Sequence, residues 1–448
     1  MAGSAEYESA RRPQIARFDH VRPHAVARCR TPEDVVHAVG YAREGHHIAL
    51  RSGGHSFEGR SSTTGVVIDV SGMNEVSVSG GTVRVGAGSR LGAVYDALAD
   101  RGLTIAAGCG PTVGIAGLAL GGGLGILGRS HGLTADQLMS AHAVLADGSI
   151  VECDEQSHAD LFWALRGAGG GQFAAVTQLV LRTLPAPTAT GFHLMWPWEA
   201  AAAVLDAWQR WAPARPDGFA ASLLVNASGD PHVAPVVIVF GAVLDDEAAS
   251  QSALDEFVGD VGTSPSRTNR MVGSYRDVKR YLGEYDVASS RSRPFERETG
   301  HSYSKSEFFR HQLPADVIDE LLGRLHEGRT RGERRILDFT PWGGAYNRVP
   351  ADATAFVHRA ERFLLKQEVV VDAEASATER EAARDWLTSS WKAVHPWGSG
   401  GVYPNFPDPD LEDWGRAYHG TNLARLRQVK TTYDPENIFR FDQSIQPE

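Results

Sequence analysis

The chain has 448 residues, of which 42% are hydrophobic and 22% charged, and its formal net charge is −11 at pH 7. This length exceeds one ordinary hydrophobic core and predicts two domains of about 200 residues each. The acidic balance argues against nucleic acid or an anionic membrane surface as the main partner.

The cysteines and the N-terminal residues bear on the cellular compartment. Cys29, Cys109 and Cys153 are far apart and odd in number, so they predict neither a disulfide framework nor a zinc site. Residues 1–20 are polar and charged and lack the apolar run of a secretory signal. We therefore expect a cytoplasmic protein without a bound metal.

The predicted elements of the first part alternate between strand and helix. Thr31 and Pro32 are typical of a helix start, as the N-cap and the first helical residue. Further along we predict strands at 65–70 and 81–86, a helix at 91–101, and a β-hairpin over 137–151 that turns at Asp147 and Gly148.

The segment 105–128 carries no charge and is long enough to span a bilayer, for which about 20 apolar residues suffice. It also contains Pro111 and many glycines, which would leave a helix weak and broken. We interpret it as a glycine-rich binding loop.

The composition changes after residues 184–187, where we place a domain boundary. Strands at 222–225 and 236–240 are mixed with helices at 247–258 and 315–326. This arrangement favours an antiparallel sheet with helices over it, which is an α+β fold.

Two glycine clusters are the strongest functional signal. The first, 51–56, follows a strand-like run at 47–50 and places His55 at the tip of a glycine turn. Consecutive glycines let backbone N–H groups approach an anion closely, and Arg51 and Ser52 add donors. The second cluster covers 114–125.

Seven motifs in the chain form an ordered set. They are RSGGHS at 51–56, PTVG at 111–114 with GGGLG at 121–125, HGL at 131–133 with Asp136, DLFWALRG at 160–167, GGGQF at 169–173, YPNF at 403–406, and YDPENIF at 433–439. Together they resemble the flavin-linked oxidases of the vanillyl-alcohol oxidase type, specifically the berberine-bridge-enzyme-like branch.

The resemblance implies a discontinuous FAD-binding domain of the PCMH type and an antiparallel-sheet substrate domain covered by helices. The FAD-binding domain would comprise residues 1–186 and a C-terminal return at 396–448, and the substrate domain residues 187–395. The implied cofactor-binding residues are Arg51, Ser52, Gly53, Gly54, His55, Ser56, Gly114, Ile115, Gly117, Gly121, Gly122, Gly125, Asp136, Val176, Tyr403 and Asn405.

In the resembled family, the histidine of the first loop is bonded to the flavin 8α-methyl carbon, which makes His55 the implied attachment point. The alternative is that His55 only hydrogen-bonds a phosphate. Many relatives add a link through the cysteine of Gly-x-Cys-x-x-Val-Gly, but that position is Gly110 here and Cys109 lies one residue early. A one-residue shift in extended backbone turns the side chain to the other face, so we predict a single link through His55.

Other positions in these motifs depart from the family pattern or bear on the access of oxygen to the flavin. Leu118 stands where the family often has a histidine, and the usual Phe-Gly-Val-Val-Thr is changed at Ala174 and Ala175. Ile115 occupies the position described as gating oxygen access, and an aliphatic residue there is compatible with an oxidase.

The chemistry implied by the resemblance needs a base for the substrate proton. We expect Tyr403 over the flavin and Asn405 on the same face of a strand, the alternative being a tyrosine of the core. Lys366 and Glu368 would share one side of the strand 363–371, where a lysine could lower a tyrosine pKa. The alternative is a solvent-facing Lys/Glu ladder.

A third predicted strand presents His301, Tyr303 and Lys305 on one face, which we expect to line the substrate pocket, with Trp342 at its border.

The sequence thus predicts an FAD-dependent oxidase of a small alcohol, amine or secondary metabolite, with molecular oxygen as the acceptor and H2O2 as a product. A flavin dehydrogenase with another acceptor and a flavin-binding protein without turnover remain as alternatives. The oligomeric state stays open.

Overall fold

The computed structural model describes residues 4–244, 247–286, 291, 292, 297 and 299–448. In chain order its strands are β1 Ala25–Arg28, β2 Ile48–Arg51, β3 Val66–Asp69, β4 Val76–Ser79, β5 Thr82–Gly86, β6 Leu103–Thr104, β7 Leu138–Val144, β8 Ile150–Cys153, β9 Ala175–Arg182, β10 Leu184–Pro185, β11 Thr188–Trp196, β12 Phe219–Ala227, β13 Val236–Leu244, β14 Arg267–Ser274, β15 Tyr285–Asp286, β16 Arg291–Ser292, β17 His301–Phe309, β18 Arg334–Pro341 and β19 Phe363–Val371. Its α-helices are α1 Ala5–Arg11, α2 Pro32–Ala42, α3 Leu91–Ala99, α4 Ile115–Leu120, α5 Gly128–His131, α6 Ala159–Leu165, α7 Ala201–Trp211, α8 Glu247–Val261, α9 Tyr275–Glu284, α10 Ala315–His326, α11 Ala345–Arg348, α12 Ala377–Val394, α13 Trp414–His419 and α14 Leu423–Tyr433.

The chain divides into two compact units. The first contains the residues up to Pro185 together with Val349–Val357 and Pro409–Glu448, and the second contains Ala186–Arg348 and His358–Asp408. Strands occur with helices in both units, and antiparallel pairing dominates, so the fold is α+β.

The first unit combines three sheets. A parallel sheet has the order β1-β3-β2, an antiparallel sheet the order β4-β5-β9-β7-β8, and β6 pairs with β10. The predicted start of α2 is confirmed, because Thr31 Oγ1 accepts the Asp34 N–H and the Asp34 carboxylate accepts the Thr31 N–H. The predicted hairpin is also confirmed, since β7 pairs with β8 and the Asp147 carboxylate accepts the Ser149 N–H in the turn.

The uncharged segment 105–128 contains only the six residues of α4 and the start of α5 as α-helix. Glycine turns separate the two helices. Among the described residues, no helix combines the length and the apolar character that crossing a membrane requires.

The second unit is built on a seven-stranded antiparallel sheet of order β14-β11-β13-β12-β18-β19-β17. One face packs on α7, α8, α10 and α12, and its strands contribute buried apolar side chains such as Leu337, Phe339 and Leu365. On the other face polar and apolar side chains are mixed: Glu368 is paired with Ser304 and Ile336, and Lys366 with both Ser306 and Asp338. Directly paired residues project from the same face, so this sheet carries a group of ionisable side chains on the face opposite α7, α8, α10 and α12.

The division of the chain differs from the predicted one in two places. Residues 396–408 belong to the second unit, because the Ser399 N–H donates to Phe308 O at 2.8 Å and the Phe308 N–H donates to Gly401 O at 2.9 Å. Residues 349–357 belong to the first unit, where the Asn422 amide donates to the carbonyls of Ala351 and Thr354. Neither set of contacts leaves a signal in sequence composition.

Candidate functional site

The two glycine clusters of the first unit pack directly against each other. A Cβ atom on Gly53 would lie 2.3 Å from the backbone nitrogen of Gly114, and one on Gly114 would lie 2.2 Å from Ser52 Oγ. Real Cβ atoms do not approach other atoms this closely, so both positions require glycine. The loop that carries His55 is therefore held against the segment that begins α4.

Arg51 and Ser52 build this loop through their side chains. Arg51 donates from Nε to Ser61 O at 2.9 Å, and its other nitrogens reach the carbonyls of Ala10 and Arg11 and the Ser62 hydroxyl. Ser52 Oγ donates to Ala87 O at 2.6 Å. These donors serve the protein's own backbone, whereas the sequence suggested that they donate to a bound anion.

His55 lies where the two clusters meet. Its Nε2 is 3.1 Å from Thr112 Oγ1, and Arg90 Nη1 donates to Gly53 O at 2.6 Å and to Thr112 O at 2.7 Å. Burial, with a smaller effect of the Arg90 cation, lowers the pKa of His55 to about 4, and a hydrogen bond with the Thr112 backbone opposes the shift. The imidazole is therefore neutral at neutral pH.

Gly117 occupies an unusual place on α4. It is exposed in the middle of the helix, and a Cβ atom there would meet nothing within 4 Å. Glycine inside a helix costs about 1 kcal/mol relative to alanine, so the protein's own packing does not explain this residue. Because Gly117 has no side chain, this face of α4 is open, close to Gly114, which packs against the loop that carries His55. An open face of this kind lets a flat bound group approach the backbone closely.

The remaining predicted cofactor positions of the first unit lie around these loops. Ile115 is fully buried in the first turn of α4, and Gly121, Gly122 and Gly125 follow that helix. The carbonyl of Gly54 accepts the Gln14 N–H, and Ser56 Oγ accepts the Arg60 N–H.

Asp136 and Val176 lie on neighbouring elements of the same unit. The Asp136 carboxylate accepts the Leu133 N–H at 2.8 Å, while Val176 pairs with Ala143 between β9 and β7.

The C-terminal motif at 433–439 forms a buried clamp that the sequence did not reveal. Lys430 and Asp434 pair at 2.7 Å, and both side chains are fully buried. Lys430 Nζ also donates at 2.6 Å to the carbonyls of Gln172 and Phe439, and the Asp434 carboxylate accepts the Ile438 and Phe439 N–H groups. The clamp therefore ties the motif at 433–439 to the motif at 169–173.

In the second unit, Tyr403 and Asn405 lie on a turn, so the predicted strand is wrong. The Phe406 N–H donates to Tyr403 O at 2.8 Å, which closes a four-residue turn around Pro404. Asn405 Nδ2 donates to Tyr403 Oη at 3.1 Å, and the Tyr403 side chain is buried. The turn thus brings the two polar groups together, although strand alternation is not the cause.

Lys366 and Glu368 form a buried pair on the polar face of the sheet. Lys366 Nζ lies 2.6 Å from Glu368 Oε2, and the side chains are only 12% and 11% exposed, which excludes the solvent-facing ladder. Ser302 Oγ donates to Glu368 Oε1 at 2.7 Å. Burial alone would raise the pKa of Glu368, but Lys366 and Ser302 together bring it below its ordinary value.

Asp338 is the residue of this face that sequence reasoning missed. It lies on β18 directly opposite Lys366. Burial and the Glu368 carboxylate raise the pKa of Asp338 to about 6, against the opposing effect of the Lys366 cation. The available signal was an aspartate inside an apolar strand, in Ile336-Leu337-Asp338-Phe339.

His301, Tyr303 and Lys305 share one face of β17, as predicted, but this face is not the one that carries Lys366 and Glu368. Because Ser304 and Ser306 share the face of Glu368 and Lys366, the odd-numbered residues of β17 project to the opposite, helix-covered face. There Lys305 Nζ pairs with Asp408 at 2.7 Å, and Tyr303 packs against the buried apolar cluster of β19 and α12. His301 Nε2 lies 3.2 Å from Ala373 O.

Trp342, the predicted border of the pocket, is fully buried within the second unit. Its ring stacks on Tyr346 with 4.2 Å between the centroids, and its Nε1 donates to His358 O.

Two family models match parts of this chain. A family model described as FAD binding domain matches residues 23–154, and one described as berberine and berberine like matches residues 402–446. The uncharacterized FAD-linked oxidoreductase YvdP of Bacillus subtilis (strain 168) is 33% identical over 426 residues, which cover 92% of this chain and 90% of the relative.

Two solved structures are similar over the whole chain. Berberine bridge enzyme from Eschscholzia californica has a TM-score of 0.88 at 27% identity, with 100% of this chain and 96% of that chain covered. Glucooligosaccharide oxidase from Acremonium strictum, with a 6-S-cysteinyl, 8α-N1-histidyl FAD, has a TM-score of 0.87 at 25% identity and the same coverage.

These matches confirm the predicted fold class, a two-domain α+β flavoprotein with a discontinuous FAD-binding domain of the PCMH type. The chain therefore belongs to the berberine-bridge-enzyme-like family of FAD-linked oxidoreductases.

Proposed function

We propose that this protein is an oxidase that takes two electrons from a small organic alcohol, amine or secondary metabolite and passes them to O2. The substrate loses a hydride and a proton, and O2 takes up the two electrons and two protons as H2O2. When bound, FAD supplies a two-electron acceptor that O2 can reoxidise. The chain's own residues bind the cofactor, hold the substrate and accept the substrate proton.

The first unit fits FAD in shape and in chemistry. The bare face of α4 at Gly117 leaves room for a flat group, and the loop 51–56 meets that segment at Gly114. Because the imidazole of His55 is neutral, its ring nitrogen has the lone pair that a bond to carbon requires. We propose that the residues of both glycine clusters hold FAD, with Arg51 and Ser52 acting through the shape of the loop.

We further propose that His55 is the only covalent attachment. Glucooligosaccharide oxidase, a relative, has both a histidyl and a cysteinyl link. In this chain Gly110 occupies the cysteine position of the motif, while the carbonyl of Gly108, next to Cys109, accepts the Tyr95 hydroxyl at 2.7 Å. Cys109 is thus offset by one residue in a segment whose backbone is tied down.

The observation that supports turnover, rather than mere flavin binding, is the largely shielded group formed by Lys366, Glu368 and Asp338. A protein that only stores flavin has no use for three ionisable side chains together on one face of a sheet, since partial burial of each costs free energy. A carboxyl group with a pKa of about 6 is well suited to accept a proton near neutral pH. We propose that Asp338 and Glu368 handle the substrate proton, with Lys366 holding their charge in place.

The proposed contacts of Tyr403 and Asn405 with the flavin rest on the family resemblance. The hydrogen bond from Asn405 to the Tyr403 hydroxyl supports a fixed orientation for that phenol. Tyr403 is accordingly proposed as the residue that orients the substrate or shares its proton.

Two experiments test the proposed oxidase. The first screens the purified holoenzyme against sugars, aromatic alcohols and alkaloid-like amines with a coupled peroxide assay. The second reduces the enzyme anaerobically and mixes it with air-saturated buffer in a stopped-flow instrument. Reoxidation no faster than that of free reduced flavin would exclude an oxidase and favour the dehydrogenase alternative.

A further inference from the structure

We propose that Arg90 and Thr112 position His55 for its attachment to the flavin: Arg90 joins the two glycine clusters, and Thr112 accepts a hydrogen bond from His55 Nε2 so that the other ring nitrogen, Nδ1, forms the bond. This inference rests on the proposed attachment through His55. It adds two positioning residues that lie outside the glycine clusters 51–56 and 114–125.

The first support is the backbone around Thr112. The Leu91 N–H donates to Val113 O at 3.0 Å, the Gly92 N–H donates to Pro111 O at 2.9 Å, and the Ile115 N–H donates to Ser89 O at 3.0 Å. The segment from Pro111 to Ile115 is therefore fixed on the residues that begin α3. Thr112 lies in the middle of that fixed segment.

The second support is the position of the Arg90 side chain. Arg90 precedes α3, and its Nη1 donates to the carbonyl of Gly53 and to the carbonyl of Thr112, at 2.6 and 2.7 Å. One guanidinium thus holds the carbonyl two residues before His55 and the residue that contacts the His55 ring. Charge-assisted hydrogen bonds of this kind are stronger than neutral ones.

The third support is the contact between the Thr112 hydroxyl and His55 Nε2 at 3.1 Å. In a neutral imidazole one nitrogen carries the proton and the other the lone pair. When Thr112 Oγ1 accepts the Nε2 proton, the lone pair is on Nδ1. The nearby Arg90 cation and burial both favour this neutral ring over the imidazolium, which has no lone pair to share.

The attachment reaction balances with the cofactor and O2 alone. A C–N bond to His55 replaces one C–H bond of the flavin 8α-methyl group, and one proton leaves the imidazole. The two electrons of the broken C–H bond reduce the flavin, and O2 removes them with two protons as H2O2. Arg90 and Thr112 touch no reacting atom; they act through the orientation and protonation of His55.

The test uses the full chain with Thr112→Val, Thr112→Ser, Arg90→Met and Arg90→Lys. Each purified protein is incubated with FAD in air, and samples are precipitated with acid at intervals. Flavin in the pellet reports covalent attachment, and flavin in the supernatant reports non-covalent binding. Arg101→Met is the matched control, since Arg101 lies beyond the other end of α3 and donates to Ala97 O.

We expect attachment in Thr112→Val and Arg90→Met to be at least tenfold slower than in the wild type. Thr112→Ser and Arg101→Met should attach flavin at the wild-type rate, and Arg90→Lys should fall between. All five proteins should still bind FAD non-covalently, because valine has nearly the shape of threonine and the glycine contacts remain.

A wild-type attachment rate in Thr112→Val would overturn the role of Thr112, whatever happens to the arginine variants. If Arg90→Met fails to fold, the Thr112 pair decides the inference by itself. If Thr112 had only a structural role, the attachment rate and the melting temperature of Thr112→Val would fall together. Thr112→Ser would then not keep the wild-type attachment rate. If the wild type shows no acid-stable flavin, the proposed attachment fails instead, which distinguishes the two conclusions.

Discussion

Two polar regions of the molecule, one around His55 and one around Lys366, are built in opposite ways. Around His55, cationic side chains donate mainly to backbone carbonyls: Arg51 to Ala10, Arg11 and Ser61, and Arg90 to Gly53 and Thr112. On the polar sheet face of the second unit, side chains pair with side chains, as Lys366 does with Glu368 and Ser302 with Glu368.

The first region therefore fixes the shape of two loops, whereas the second sets the charge of its side chains. The first region fixes the backbone of two loops and leaves its one titratable ring, His55, neutral well below pH 7. The second region places Asp338 beside a cation and an anion, so that its pKa of about 6 lies near the pH of the cell. Burial shifts both groups toward their neutral forms, but only Asp338 stays within reach of a proton exchange near neutral pH.

The largest expected effect tests the first region. His55→Ala should lose all covalent flavin, because no other nucleophile is proposed to reach the cofactor. FAD should still bind non-covalently, since the contact of Gly53 with Gly114 and the Arg51 hydrogen bonds, which hold the loops, do not involve His55. The measurement is the flavin absorbance of the acid-precipitated pellet.

Cys109→Ala is the control for that experiment and should retain flavin as the wild type does. A changed flavin spectrum in Cys109→Ala would contradict the register argument for a single link. Flavin that stays in the pellet of His55→Ala would contradict the attachment through His55.

The sequence predicted the first region better than the second, for physical reasons. Glycine has few substitutes where two backbones touch, as at Gly53 and Gly114, so the clusters are visible in one sequence. The roles of Arg90 and Thr112 were not visible, because they depend on contacts between residues 22 to 57 positions apart.

On the second unit, strand alternation sorted residues into two faces without saying which face the helices cover. Lys305 lies on the helix-covered face, where it pairs with Asp408, whereas Lys366 lies on the other face of the sheet. For Tyr403 the sequence contains the signal of a turn, although we predicted a strand. Proline and asparagine in the middle of four residues are typical of a turn, and Pro404 and Asn405 form one.

The next effect tests the second region through its charge. Asp338→Asn keeps the size of the side chain but removes the titrating carboxyl, so we expect turnover to fall by about 100-fold or more. Wild-type kcat/KM should rise with pH through about 6, as Asp338 loses its proton, and this limb should disappear in the variant.

The assay is the pH profile of kcat/KM, which reports the ionisation of the enzyme without substrate, with a substrate from the peroxide screen. Asp316→Asn, an exposed carboxyl in the first turn of α10, serves as the control and should keep the profile. An Asp338→Asn enzyme with wild-type kcat and an unchanged acid limb would remove Asp338 from the proposed proton transfer.

A smaller effect concerns Ser304, whose buried hydroxyl has no hydrogen-bond partner within the described parts of the chain. It lies opposite Glu368, on the face proposed to hold the substrate. An unpaired buried hydroxyl is costly, so we expect the substrate to supply its partner. Ser304→Ala should raise KM about tenfold, with a smaller change in kcat and no loss of melting temperature.

Ser390 provides a matched control for this variant. Its hydroxyl is also buried and lacks a partner among the residues that the structure describes, but it lies on α12, over the apolar face. Ser390→Ala should leave KM unchanged. Equal KM values for Ser304→Ala and the wild type would show that the substrate does not use this hydroxyl.

The smallest effect compares His55 with a second buried histidine, His193 on β11. Its Nδ1 lies 2.9 Å from the Tyr281 hydroxyl of α9, and burial lowers the pKa of His193 to about 4. In the unfolded chain the pKa of a histidine is about 6.5, so between pH 6.5 and 4 the unfolded state binds a proton that the folded state does not. The free energy of unfolding therefore falls as the pH falls through this window, and the loss is complete below pH 4.

His193→Gln removes this group, so its unfolding free energy should depend less on pH than that of the wild type. The change in unfolding free energy across the window should differ between the two proteins by about 3 kcal/mol, measured by urea unfolding at several pH values. His311→Gln is the control, since His311 is exposed and its ring meets water in the folded and unfolded states alike. If His193→Gln keeps the wild-type slope, protonation of His193 does not oppose folding. Burial under α9 would then not lower the pKa of His193 as burial between the glycine clusters lowers that of His55.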